Sequence, residues 1–291
     1  MELQLLESKH PDARAQHHYD SLIAIEEQKK TLLNTLSFFF NTDKIDKWHK
    51  NHHYSKLSFL GNIIEGTPLM ILAGDVGCGK TALAQSIATP LGKLLDKRVL
   101  CFETPSNIRG GGRVGEISNR ITEAFTQAKA KVKGENVGIL IIDEADDLAT
   151  DREQSQAHHE DRSGLNVLIK QIDSISKDKT KLAVILITNR LKALDPAVVR
   201  RATQVILFNR PDKGGRKRVF QYLLSGTNAT EKEIEELTQA SDRGDKAYSF
   251  SDLVQKIGKQ ALIQAIQEDR PFNKTLLLEV LTKVEPSPSI K

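Results

Sequence analysis

The sequence predicts an α/β fold: a parallel five-stranded sheet with helices on both faces, followed by a small all-helical domain. Three observations predict it. Between residues 69 and 208, short apolar runs alternate with stretches of helical periodicity, and the runs are apolar throughout, as strands buried on both faces require. A glycine-rich loop, Gly74 to Thr81, joins the first run to a helix. After Pro211 the strand pattern stops and only helical periodicity remains, the mark of a separate helical layer.

The elements follow in order. Residues 1–18 are polar and read as a flexible lead. A helix pattern runs from Ser21 to Phe40, and residues 41–66 are polar with scattered aromatics. Strands are predicted at Leu69–Ala73, Val99–Phe102, Val137–Ile142, Leu182–Thr188 and Gln204–Phe208. The intervening helices are predicted at Lys80–Leu91, Ile117–Val132 and Gly164–Ile175. Helices then follow at Arg216–Leu224, Glu231–Ala240, Ser251–Glu268 and Asn273–Val284, the second opened by a Thr230/Glu233 capping box. The pair Gly214-Gly215 is expected to act as a hinge. The domains expected are thus a large α/β one over 19–211 and a helical one over 212–285, with a loose tail at 286–291.

Composition narrows the class. The chain has 291 residues, 39% of them hydrophobic and 27% charged, enough apolar content for a packed core and too much for disorder. A net charge of +4, spread along the chain, does not call for a nucleic-acid partner. The two cysteines, Cys78 and Cys101, form no disulfide framework, so a reducing cytoplasm is expected. No apolar run reaches the length of a membrane span, and the first residues lack the apolar stretch of a signal peptide.

The loop Gly74-Asp75-Val76-Gly77-Cys78-Gly79-Lys80-Thr81 fits G-x-x-x-x-G-K-[ST], and Ala82 continues it into the helix. Glycines let the backbone wrap phosphates so that successive N–H groups point inward. The helix start presents its positive end to the same anions. Lys80 is placed to neutralise the β- and γ-phosphates of ATP, and the Thr81 hydroxyl to bind Mg²⁺. Cys78 has two readings: a thiol activated by the helix N-terminus, or simply a small residue that fits; the second is preferred.

The strand Gly138–Ile142 ends in Asp143-Glu144. Two acids at a buried strand tip need cationic company. Asp143 is expected to hold Mg²⁺ and Glu144 to orient the attacking water, the alternative being a solvated acidic turn, since Asp146 and Asp147 follow. The next strand ends at Asn189, where a turn residue or a sensor of the γ-phosphate fits. Beyond it, Arg200 and Arg201 are candidates for an arginine finger acting on a neighbouring subunit, or for surface cations.

These segments resemble the AAA+ superfamily of P-loop NTPases. The likeness rests on the Walker A loop Gly74–Thr81, the Walker B strand Gly138–Glu144, the Asn189 sensor and the stretch Asp195–Arg201. It covers roughly residues 19–287, with the last helices and Val284-Glu285-Pro286-Ser287 resembling an AAA+ lid. More narrowly, Tyr19-Asp20-Ser21-Leu22-Ile23 and Leu165–Asp173 are similar to the pachytene-checkpoint type of remodeler. The resemblance implies a homo-hexamer or related ring with nucleotide between subunits and a central pore, acting on a HORMA-domain protein. Bacterial relatives stand beside such proteins in anti-phage operons. Three departures stand out. Asp75-Val76 replaces the usual Pro-Pro. The pore loop, Ser106 to Glu116, has Arg113-Val114 where an aromatic usually grips substrate. No arginine stands near Ser249-Phe250-Ser251, the second-sensor position. A separate substrate-recruiting N-terminal domain is not expected.

Two other functions compete: a nucleic-acid motor or clamp loader, with Arg109, Arg113 and Arg120 lining a basic pore, and a nucleotide-gated scaffold, which the intact Glu144 disfavours. The histidine pairs His17-His18, His52-His53 and His158-His159 have no zinc spacing and read as solvated. Asp151–Arg162 reads as a mobile loop and a candidate second pore loop.

Overall fold

The computed structural model describes residues 3–55, 57–61, 66–105, 108, 115–132, 134, 136–148, 159–244 and 246–289. The expected pore-contact residues Arg113 and Val114 lie outside this set, as does most of the expected second loop at 151–162. By internal contacts the chain forms two units. One comprises Met1–Asp20, Glu27–Ala73 and Thr81–Leu207; the other comprises Ser21–Glu26, Gly74–Lys80 and Phe208–Lys291.

The sheet has six strands in the order β1-β3-β4-β5-β2-β6. They are β1 (Leu6–His10), β2 (Leu69–Gly74), β3 (Val99–Glu103), β4 (Val137–Ile142), β5 (Leu182–Thr188) and β6 (Gln204–Phe208). Pairs β3–β4, β4–β5 and β2–β5 are parallel. In β2, Leu69, Ile71 and Ala73 enter a core cluster with Phe125, Leu165 and Ile172. Met70 and Leu72, which alternate with them, are equally inaccessible, so the strand is buried on both faces.

The extra strand corrects two expectations. Residues 1–18 are not a loose lead, and the sheet is not purely parallel, because β1 runs antiparallel to β3 with Leu6 opposite Glu103 and His10 opposite Val99. Its residues, LESKH, are mostly exposed, so neither alternation nor hydropathy marks it; the pairing is made by backbone groups. Leu3 and Leu5 join the core, and Lys131 pairs with Glu7. The buried His10 ring bonds Thr89 through Nδ1 and Ser8 through Nε2, both at 2.8 Å. After β1, α1 (Ala13–Ser21), α2 (Glu26–Phe40) and α3 (Thr42–His52) follow. The predicted Ser21–Phe40 helix is thus broken at 22–25, where Ala24 takes φ +59°.

The helix predicted from Lys80 to Leu91 is two: α4 (Lys80–Ser86) and α5 (Ala88–Leu95). Pro90 explains the break, since it offers no N–H to the Ser86 carbonyl and its ring crowds that turn. Further along come α6 (Glu116–Lys131), α7 (His159–Lys177) and a short α8 (Pro196–Val199).

The second unit contains α9 (Lys213–Leu223), α10 (Glu231–Ala240), a π-helical stretch Asp252–Gly258 continuing into α11 (Lys259–Gln267), and α12 (Lys274–Lys283). Val219, Phe220, Leu237, Tyr248, Leu253 and Leu277 form its core. The Thr230/Glu233 capping box is present. Gly214 and Gly215, expected as a hinge, lie in the first turn of α9. Asp212 caps α9 by accepting from the Gly215 N–H at 2.7 Å, which draws both glycines into the first helical turn. The tail is not loose at 287–288 either: the Ser287 hydroxyl donates to Asp252 Oδ1 at 2.5 Å, and the Ser287 and Pro288 carbonyls accept from Arg210.

Candidate active site

The phosphate loop belongs to the second unit. Gly74, Gly77 and Gly79 have φ of +138°, +73° and +91°, which side-chain-bearing residues rarely adopt. At Gly74 a Cβ would lie 2.0 Å from the Phe208 carbonyl oxygen, a backbone atom with nowhere to go. Lys80 is 95% buried, and its ammonium donates to the carbonyls of Gly74 at 2.8 Å and Asp75 at 2.7 Å. The loop thus holds its own cation over its rim. Asp75, where Pro is usual in the family resembled, accepts from its neighbour's Val76 N–H at 2.9 Å and from Arg210 Nε at 2.5 Å. Arg210 was not singled out from the sequence; its only signal there was a lone cation directly after β6.

Cys78 is buried, and burial, reinforced by Asp75, pushes its thiol up to about 11. It is a neutral packing residue at ordinary pH, in line with the preferred reading.

The strand-end acids belong to the first unit. The Thr81 hydroxyl, at the start of α4, donates to Asp143 Oδ2 at 2.7 Å. The last residue of the glycine-rich motif and the first acid beyond β4 therefore meet. Glu144 is exposed, with φ +52°; the left-handed conformation is costly for a residue with a side chain. The turn holds it there: Asp143 Oδ1 accepts the Glu144 N–H at 2.8 Å, and Ala145–Asp147 wind into a 3₁₀ turn.

Asp146, read from the sequence as part of a solvated acidic turn, is instead buried. It accepts from the Thr188 hydroxyl at 2.9 Å and from Arg190 Nε at 2.8 Å. It therefore ties the turn carrying Glu144 to the end of β5, on which the half-buried Asn189 sits. A side chain bridging two strand-end turns leaves no local pattern in sequence.

The two candidate finger residues are in different situations. Asp195 caps α8 through the Ala197 N–H at 2.7 Å, with Pro196 opening the helix. Arg201, at the far end, is committed within the chain: it forks onto Asp173 of α7 at 2.8 and 3.2 Å. Arg200 is exposed, and among the described residues its side chain bonds only backbone, Nε donating to the Pro196 carbonyl at 3.3 Å. Of the three arginines proposed to line a basic pore, Arg120 pairs with Glu116 at 2.8 Å, and Arg109 and Arg113 lie outside the described residues.

No three His, Cys, Asp or Glu residues gather as a metal site among the described residues. Thr81 and Asp143 offer a hydroxyl and a carboxylate, side by side. That donor set suits a hard cation that keeps water and takes phosphate oxygens, as Mg²⁺ does, and not a metal needing a full protein cage. No helix among the described residues is long and apolar enough to cross a membrane.

Comparison with known proteins bears on these features. Residues 70–210 match the model of the ATPase family associated with various cellular activities (AAA). CD-NTase-associated protein 6 of Escherichia coli strain MS 115-1 is 35% identical over 96% of this chain and 93% of its own. The fold is similar to a chain in the structure of the E. coli MS115-1 HORMA:CdnC:Trip13 complex. There the TM-score is 0.91 and the identity 33%, over 99% of this chain and 98% of that one. It is also similar to Rhizobiales Trip13, with a TM-score of 0.76 and 29% identity over 97% and 98%. Relatives of this identity along nearly their whole length, with the family pattern spanning the phosphate loop and both strand ends, make the chain a member of the AAA ATPase family, on its Trip13-like branch.

Proposed function

We propose that this chain is an Mg²⁺-dependent ATP hydrolase that assembles as a cytoplasmic ring, a hexamer or a related form, and remodels a HORMA-domain protein in an anti-phage system. The observation that carries the hydrolase reading is the Thr81–Asp143 hydrogen bond, which brings together one residue of each nucleotide-binding motif. The partner reading rests on the relative found in a complex with a HORMA protein and CdnC.

The roles follow from chemistry. Backbone N–H groups of residues 74–82 and the start of α4 receive the phosphates, and Lys80 leaves its two carbonyl partners to neutralise them. Thr81 and Asp143 hold Mg²⁺, which when bound supplies charge compensation between phosphate oxygens. Glu144, exposed at the tip of its strained turn, accepts a hydrogen bond from the attacking water and aims it. Asn189, linked to that turn through Thr188 and Asp146, reads the γ-phosphate. Arg200 reaches the phosphates of the next subunit. Arg113 and Val114 contact the polypeptide in the pore.

The test is Glu144→Gln. ATP binding should remain at parental affinity, turnover should nearly vanish, and an ATP-stabilised ring should appear by light scattering. That ring should retain a HORMA-domain protein encoded in the same operon. Turnover at the parental rate refutes the role of Glu144; failure of the parent to bind ATP refutes the hydrolase reading.

A further inference from the structure

The phosphate loop is gripped from two sides by the C-terminal end of its own unit. The first grip runs through Arg210, whose side chain is only 10% exposed. Its Nε donates to Asp75 of the loop at 2.5 Å, its Nη1 to the carbonyls of Ala247 at 2.5 Å and Ser287 at 2.7 Å, and its Nη2 to the Pro288 carbonyl at 2.9 Å. Four N–H donors of one planar fork are thereby used, on a loop carboxylate and three backbone carbonyls, two of them in the tail.

The second grip runs through Asp252, which is fully buried. Its Oδ1 takes the Ser287 hydroxyl at 2.5 Å and Lys256 at 2.7 Å; its Oδ2 takes the Ser287 N–H at 3.1 Å and the Ser249 N–H and hydroxyl at 3.0 and 2.9 Å. Ser249 and Ser251 in turn lie against the loop. A Cβ on Gly77 would come within 2.8 Å of Ser249 Oγ, and the Ser251 N–H donates to the Gly77 carbonyl at 3.0 Å. Ser287 thus stands at the meeting point of two hydrogen-bonded paths that end two residues apart, at Asp75 and at Gly77.

We propose that the tail segment around Ser287–Pro288 sets the nucleotide affinity of this chain, with Arg210 as the positioning residue that transmits it to the phosphate loop. The inference rests on the reading of this loop as the ATP site. Its physical basis is charge. Asp75 is a carboxylate in a loop built for phosphates, and it is tolerable there because Arg210 neutralises it. The tail carbonyls keep the guanidinium in place. Without the tail, Arg210 loses two of its four partners and Asp75 is less well compensated. Without Arg210, a largely buried anion that has lost its guanidinium partner faces incoming phosphates.

The experiment is ATP titration by calorimetry on the full chain, on a chain ending at Glu285, and on Arg210→Ala, Asp75→Asn and the double variant. The parent should bind. Truncation should weaken binding several-fold, and Arg210→Ala about tenfold or more. Asp75→Asn/Arg210→Ala should recover most of that loss, because removing the anion removes the need for its partner; a merely structural staple would not be rescued this way. Arg210→Lys, with the charge but not the fork, should fall between. A peptide of residues 284–291 added to the truncated chain should restore affinity, which separates tail docking from misfolding. Parental affinity in both the truncated chain and Arg210→Ala overturns the inference while leaving the ATP site intact. A double variant no better than Arg210→Ala overturns its electrostatic basis. A parent that does not bind ATP overturns the reading of the site itself.

Discussion

Gly77→Ala is expected to cripple the phosphate loop by an amount that can be worked out from its surroundings. The residue has φ +73°, where a Cβ costs about 1–2 kcal/mol. That Cβ would lie 2.8 Å from Ser249 Oγ and 2.9 Å from Ser251 Cβ. If the overlap is kept, overpacking costs about 1–3 kcal/mol. If the 249–251 segment shifts to relieve it, the Ser251 N–H to Gly77 carbonyl bond is lost, at about 0.5–1.5 kcal/mol. By the cheaper route the total is about 1.5–3.5 kcal/mol. Taken out of the bound conformation of the loop, this weakens ATP affinity by about 10- to 400-fold. Gly226→Ala is the control: φ is +83° but nothing lies within 4 Å, so it should lower the melting temperature and leave ATP affinity alone. Gly77→Ala/Ser249→Gly should regain the steric share but not the backbone share. The assay is calorimetric titration of ATP beside thermal melting. Parental ATP affinity in Gly77→Ala would refute the claim that this loop conformation is the binding conformation.

Three further outcomes are expected. Arg200→Ala should cut ATPase activity by about a thousandfold at unchanged melting temperature. Arg201→Ala should instead lower the melting temperature by about 1–3 °C through loss of its half-exposed pair with Asp173; the opposite pattern of activity loss would reassign the finger. Cys78 and Cys101, pushed up to about 11 and about 12 by burial, should resist iodoacetamide at pH 8 in the native chain and react once it is unfolded. Because these thiols bind protons more tightly when folded, stability should also fall as pH rises past their ordinary value of 9. Burial raises the pKa of Asp252, but bonds from Lys256, Ser287 and the Ser249 N–H outweigh it and hold the carboxyl well below its ordinary 3.8. Its contribution is therefore complete above pH 3.8 and lost as pH falls below it, and melting curves of Asp252→Asn should lack that acid-limb component.

What was legible in the sequence was what repeats locally. Four of the apolar strands, β2 to β5, are legible because they are buried on both faces; β6, with Leu207 exposed, is legible from its apolar run alone, and the Thr230/Glu233 cap because its two partners are three residues apart. The glycine-rich loop is legible because its geometry demands glycine at fixed offsets. The misses share a different cause. Strand β1 is held by backbone pairing and by a few distant anchors such as Gln127 on the Leu3 carbonyl at 2.7 Å. The break at Ile87 is written in Pro90, although the apolar spacing continues through it. Asp146 and Arg210 act on residues 37 to 135 positions away, and a single charged side chain gives no hint of so remote a partner. Gly214-Gly215 looked like freedom and became a helix start, because Asp212 supplies the cap that two glycines alone do not announce.

The polar strand at the end of the sheet has a consequence for the solution behaviour of the chain. Without β1, the rim would be β3, whose residues Val99 to Phe102 are all buried; such a row of apolar side chains and open backbone groups invites another molecule's strand. With β1 in place the outermost strand carries Glu7, paired with Lys131, and the exposed Lys9, charges that must be desolvated before another strand can add to the edge. An expression design that trims or displaces the first ten residues would therefore uncover an adhesive edge. Its expected symptom is precipitation at protein concentrations the intact chain tolerates, with the nucleotide-binding motifs themselves untouched.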